Sequence, residues 1–146
     1  PALTDIHPTI AFIQPVVVNP PPEKILRVID TQSLANLSNI AGVPLDPARG
    51  IAIVITTDCN DERAEGVRLQ SDSIDEMTTP FHFRGSLPDP NSTQTDLQGS
   101  GGFVNIVPGN FVVSSTIAGS GRVIGTTSFI GMANTLSYVP LGPTEE

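Results

Sequence analysis

A proline–glycine pair between two β-rich runs constrains this chain more than any other feature. Pro108-Gly109 separates Phe103–Val107 from Phe111–Ile117. Proline presets φ at the second position of a type II turn, and glycine supplies the positive φ of the third. Val107-Pro-Gly-Asn110 therefore predicts a tight turn between two strands paired with each other. In the second run, Phe111, Val113, Ser115 and Ile117 share one face, mostly apolar and expected to be buried.

Similar signals recur along the chain. Ile51–Thr56 is nearly continuous in apolar residues, as a central strand requires. Shorter runs follow at Val67–Leu69, around Phe81 and Phe83, at Val123–Ile130 and at Leu136–Leu141. Alternation predicts that His82 faces solvent while its phenylalanine neighbours point inward. Residues 86–102, rich in Ser, Pro, Gly, Asn and Asp, predict a long exposed loop, and Gly99–Gly102 and Gly119–Gly121 predict turns. With 14 prolines, 13 glycines and no long helical pattern, the fold class is all-β. One helix is expected over Asp30–Gly42, capped by Asp30 or Thr31 and stopped by Gly42. Its apolar face comprises Leu34, Leu37, Ile40 and Ala41.

Residues 1–30 form an apolar arm. Thr9–Val18 is β-rich but broken by Pro15, which points to an edge strand or a bent extended segment, and Asn19–Pro22 is a stiff polyproline spacer. Ile10, Phe12, Val16 and Val18 are its candidate interaction residues. The arm either folds back over an edge of its own sheet or adds a strand to a neighbouring subunit, making a homo-oligomer or filament.

Gly102-Phe103, Ile106, Pro108-Gly109, Phe111 and Val113 together resemble the core pattern of carboxypeptidase-regulatory-like domains. These are transthyretin-like β-sandwiches, akin to the B-type repeats of bacterial collagen adhesins. Gly50–Asp58 and Ala64–Leu69 resemble the family's first two strands, with Asn60-Asp61-Glu62-Arg63 where the family has glycine, any residue, proline. The resemblance covers residues 50–141. It implies a stalk, spacer or adhesive domain of a bacterial cell-surface or secreted protein, contacting its own neighbouring domains or identical subunits. It brings no catalytic residues.

Charge and chemistry narrow the classes. A net charge of −8 with a single lysine, Lys24, lacks the basic footprint that nucleic acid or an anionic membrane surface attracts. No apolar run reaches the length of a membrane span. Cys59 is the only cysteine, so no internal disulfide forms; it reads as a small strand-end residue, an intermolecular bridge or a reactive thiol. Residues 58–76 hold seven of the fifteen carboxylates, with Arg63 and Arg68 to neutralise part of them. Asp58, Asn60 and Glu62 copy the start of an EF-hand loop, which makes Asp58, Asn60, Asp61 and Glu62 candidate calcium ligands. The motif then fails, with Arg63 at the glycine position and Leu69 at that of the bidentate glutamate, and solvated loops are the simpler reading. His7 and His82 lie in unrelated contexts and no Gly-x-Ser-x-Gly elbow exists, so an enzyme is not expected.

The expectation is therefore an antiparallel β-sandwich of roughly seven or eight strands, transthyretin-like by resemblance. It comprises an arm over 1–30, a helix and turn over 31–49, the sandwich over 50–142 and a tail over 143–146. Opening at Pro1, the chain reads as an excised or mature part of a longer precursor. A third class is a carbohydrate-binding module formed by the 86–102 loop and the acidic loop, with or without calcium.

Overall fold

Why β2 (Gly50–Thr56) is apolar on both faces explains the architecture. Ala52 and Val54 point into a core with Leu69, Phe103, Ile106, Phe111, Val113, Phe129, Val139 and Leu141. Ile51 and Ile53 point the other way, to Leu34, Phe81, Val104 and Leu136. A strand covered on both faces cannot alternate, so the run is continuous. The computed structural model describes residues 6–12 and 30–143, except the side chains of Leu37 and Ile40. Val16, Val18, the polyproline spacer and residues 144–146 lie outside the described residues.

Two sheets pack face to face, and a helix covers the outer side of the larger. The other strands are β1 (Thr9–Ala11), β3 (Val67–Gln70), β4 (Thr79–Arg84), β5 (Leu87–Asp89), β6 (Ser100–Ile106), β7 (Gly109–Ile117), β8 (Val123–Gly131) and β9 (Leu136–Leu141). The large sheet runs β1-β9-β2-β6-β4-β5 and the small sheet β3-β7-β8. The all-β sandwich is as expected; purely antiparallel pairing is not. β9 lies between β1 and β2 and runs parallel to both, while the other ladders are antiparallel.

Helix α1 (Thr31–Ala41) has the predicted caps. Asp30 accepts from the Ser33 N–H at 2.8 Å, and Gly42 adopts φ 68° with its N–H donating to Asn39 O. Of the expected apolar face, Leu34 is buried against the outer side of the large sheet and Ala41 half-buried.

Two sequence expectations are corrected here. The runs beside Pro108-Gly109 do not pair with each other. β6 has both edges taken, by β2 and β4, and β7 pairs with β3 and β8. Pro108-Gly109 instead carries the chain from one sheet to the other, so that Phe103 and Phe111 meet across the core at 5.2 Å. The second correction concerns Gly99–Gly102. Only Gly99 turns, with φ 57°; Ser100, Gly101 and Gly102 belong to β6. There the glycines serve close packing: a Cβ on Gly101 would lie 2.8 Å from Phe81 O, and one on Gly102 only 1.9 Å from Ala52 O.

Candidate functional site

The densest polar constellation braces an irregularity in β6. Gly50 pairs with Ile106 but Ile51 with Val104, so Asn105 is an extra, bulged residue, and it holds φ 59°. Its buried amide accepts from the Asp46 N–H and donates to Pro44 O, each at 2.9 Å. Its carbonyl accepts from Arg49 Nη1 and Thr78 Oγ1. Arg49 also grips Asp75 with both terminal nitrogens, at 2.9 and 2.7 Å. This guanidinium and the Thr78 hydroxyl hold the Asp75 carboxyl far below the usual carboxylate range. Asp75 thus pairs with Arg49, outside the acidic stretch, rather than with Arg63 or Arg68. Every group named here points at main chain or at a partner. The constellation is a clamp.

The candidate calcium ligands form a turn. Asp58 Oδ1 accepts from the N–H groups of Asn60 and Glu62 at 2.8 and 3.0 Å, while the Asp58 N–H donates to Glu62 O. Asp61 takes φ 60° at the tip, and Thr57 bridges Arg63 across the base. The two backbone donors lower the Asp58 pKa by favouring its charged form. The alternate Asp-x-Asn-x-Glu spacing is thus that of a self-capped turn, with Asp61 and Glu62 exposed. Among the described residues no group of three or more His, Cys, Asp or Glu side chains could hold a metal. Millimolar calcium is accordingly expected to leave the melting temperature unchanged to within about a degree, whereas a site occupied at 100 Kd would add about 2.7 kcal/mol. Calorimetry with and without chelator checks this. Cys59 is exposed in the same turn and lines an open cleft of about 540 Å³ at one end of the sandwich, with Val67, Ile117 and Arg122.

His82 reverses its predicted orientation. It is 3% exposed between the sheets, whereas Phe81 and Phe83 point outward to the helix side. Burial is tolerated because both ring nitrogens have main-chain partners. Nδ1 lies 2.9 Å from Ser92 O, which can only accept, and Nε2 lies 3.4 Å from the Leu69 N–H, which can only donate. These partners fix the neutral Nδ1–H tautomer. Thr95 acts beside it, accepting from the Val67 N–H and donating to Ala64 O. Together they occupy the β3 edge that β7 leaves open.

Desolvation lowers the His82 pKa, opposed in part by its bond to Ser92, with Arg68 lowering it and Asp89 raising it. An unfolded chain then takes up a proton near the ordinary histidine pKa of 6.5 while the folded one does not, so stability falls as pH drops from 6.5 towards the lower folded value. His7 is shifted the same way by burial. Thermal melts from pH 8 to 5 are expected to be flat above about 7 and to decline below. The decline should be shallower in His82→Gln; an identical profile in that variant would remove His82 from the account.

The arm, as far as it is described, joins its own sheet. Ile10 pairs in parallel with Ser137, the Phe12 N–H donates to Tyr138 O, and the Phe12 ring packs 5.4 Å from Phe129 of β8. Ile10 and Phe12 are thus half-buried in intramolecular contacts.

One further concave region lies against the outer core of the large sheet. Beyond α1, the register places Tyr138 beside Ile53, and Ile55 beside Ser100, on the outer face of the large sheet. With Phe83 they floor a groove of about 250 Å³, rimmed by Arg63, Ser86 and Gln98. Phe83 stands edge-on to Phe81 at 5.4 Å, which holds its ring. Sequence reasoning missed this floor because Tyr138 and Phe83 belong to strands separated by β2 and β6. The visible signal was apolar residues on both faces of β2.

Compared with known proteins, the chain matches no family model and no curated sequence. No helix among the described residues is long and apolar enough to cross a membrane.

Proposed function

We propose that this chain is a non-enzymatic structural and interaction module of a bacterial cell-surface or secreted protein, serving as a stalk, spacer or adhesive domain. One observation carries the reading: the polar constellations described above are spent on the chain's own main chain and on one another. Asp58 caps its turn, Asp75 with Arg49 and Asn105 locks a bulge, and His82 with Thr95 closes an edge. A catalyst needs a nucleophile, a base or an oxyanion donor aimed into a space where substrate can sit. These groups are aimed at backbone. A spacer needs the reverse, a rigid body with its edges managed. The resemblance of residues 50–141 to carboxypeptidase-regulatory-like domains supports the same reading.

Folding of residues 6–12 onto their own β9 favours a self-contained module over a coat or filament subunit. Light scattering over a concentration series is expected to give 15.3 kDa throughout. Mass that climbs with concentration would replace the spacer by an assembling subunit whose arm enters a neighbour's sheet.

A further inference from the structure

We propose that the outer edge of β8 pairs antiparallel with the same edge of a second copy of this chain. The other sheet edges are short or covered. The large sheet ends on two three-residue strands, β1 and β5, and β5 carries Pro88 with the Arg84–Asp89 ion pair beside it. The β3 edge is closed, since Thr95 exchanges main-chain bonds with Gly66 and Val67 and His82 accepts from the Leu69 N–H. Such edges do not recruit strands. β8 has none of these protections. It runs nine residues without a proline or a charge, and among the described residues only β7 pairs with it. The extra residue Ile124, opposite Ser115 and Thr116, sits near its start and leaves Gly125–Gly131 regular.

Two observations select a second copy as the occupant. The first is the order of side chains. Gly125, Phe129 and Gly131 are buried on the inner face, so Thr126, Ser128 and Ile130 face outward, after the half-buried Ile124. In either direction this face reads isoleucine, hydroxyl, hydroxyl, isoleucine. An antiparallel copy centred on Thr127 therefore sets Ile124 beside Ile130 and Thr126 beside Ser128, apolar on apolar and hydroxyl on hydroxyl. On the inner face Phe129 falls beside Gly125, which leaves the ring space. Moving the centre to Ser128 would set Thr126 beside Ile130 and lose the match. A twofold contact requires this self-complementarity. The second observation is charge. Two copies of net charge −8 repel, and β8 is an edge at which neither brings a carboxylate. Contact also covers Ile130, which is 54% exposed in the single chain.

One strand pair buries less than the roughly 1,200 Å² at the lower end of stable complexes, so the affinity is on the order of millimolar. The chain stays monomeric in dilute solution. Pairing takes hold where copies are held side by side, which raises their effective concentration to that range. The inference does not depend on the stalk reading.

The test is to follow backbone amide NMR shifts of the whole chain from micromolar to millimolar concentration, with hydrogen exchange at the lowest. The amides of Val123–Gly131 are expected to move together as concentration rises. Ser128 is exposed, so Ser128→Lys and Ser128→Glu should keep the wild-type melting temperature. Each is expected to weaken pairing about fivefold, because like charges then lie diagonally across the axis, although the two change the net charge in opposite senses. An equimolar mixture of the two variants should restore the wild-type shifts. Wild-type shifts that stay flat overturn the proposal. So do shifts that both variants leave intact, or β8 amides already protected at the lowest concentration, which would give the edge to residues 13–29 of the same chain.

Discussion

Gly102→Ala is expected to prevent folding or to cost at least about 4 kcal/mol, a large part of the stability of a domain this size. A methyl group at this position would sit 1.9 Å from Ala52 O and 3.1 Å from Phe81 Cζ. Ala52 O is main chain of the central strand, so relief requires parting β2 from β6. Those strands pair across six positions, Gly50 to Ile55, and carry the apolar contacts of both faces. Gly119→Ala is the control: a Cβ there meets nothing within 4 Å, and its effect should stay within about 0.5 kcal/mol. Urea unfolding of the two variants checks the contrast. Equal midpoints would mean that the close approach of β2 and β6 does not hold the sandwich.

Phe111→Ala is expected to cost about 3–5 kcal/mol. Phe111 is 1% exposed and sits in the middle of a run of rings, 5.2 Å from Phe103 and 5.5 Å from Phe129, which in turn meets Phe12 at 5.4 Å. The run ties β6, β7, β8 and the segment after β1 together, so its central ring supports both sheets and the arm. Phe12→Ala, at the half-buried end, should cost less than half as much. A double-mutant cycle between Phe111 and Phe129 is expected to show coupling of about 0.5–1.5 kcal/mol. Additive effects, or a Phe111→Ala loss below about 1 kcal/mol, would contradict the central placement of this ring.

What the sequence made legible is local. Asp30 and Gly42 bound the helix because a cap needs only the adjacent three or four residues, and Ile51–Thr56 reads as central because burial on both faces leaves its mark within one strand. What stayed hidden is pairing across distance. Arg49 finds Asp75 over 26 residues and Asp46 finds Asn105 over 59, and no spacing rule covers such contacts. The Pro108-Gly109 turn was visible as a turn, but two runs joined by a short turn can pair with each other or enter opposite sheets. The deciding fact is that β2 and β4 already occupy both edges of β6. His82 misled for a related reason. Alternation gave two faces but not which one the helix would cover, and the neutral imidazole could be buried because Ser92 and Leu69 offered partners that sequence does not reveal. The candidate groove is the extreme case, since four strands and three connecting segments contribute to it.

The place of β9 between β1 and β2 also sets an order in time. Thr9 pairs with Leu136, nearly the full length of the described chain away, and the same β9 residues pair with β2. During synthesis β1 therefore emerges first and waits longest, since its ladder partner emerges last. A nascent chain that ends before Leu136 contains every strand of the small sheet and a gap between β1 and β2 in the large one. Closing that gap carries the entropy of joining β1 to a strand more than a hundred residues away, and such non-local pairings slow folding. Completion of this sandwich thus waits for β9, and until it occurs the facing edges of β1 and β2 stand open to any other strand within reach.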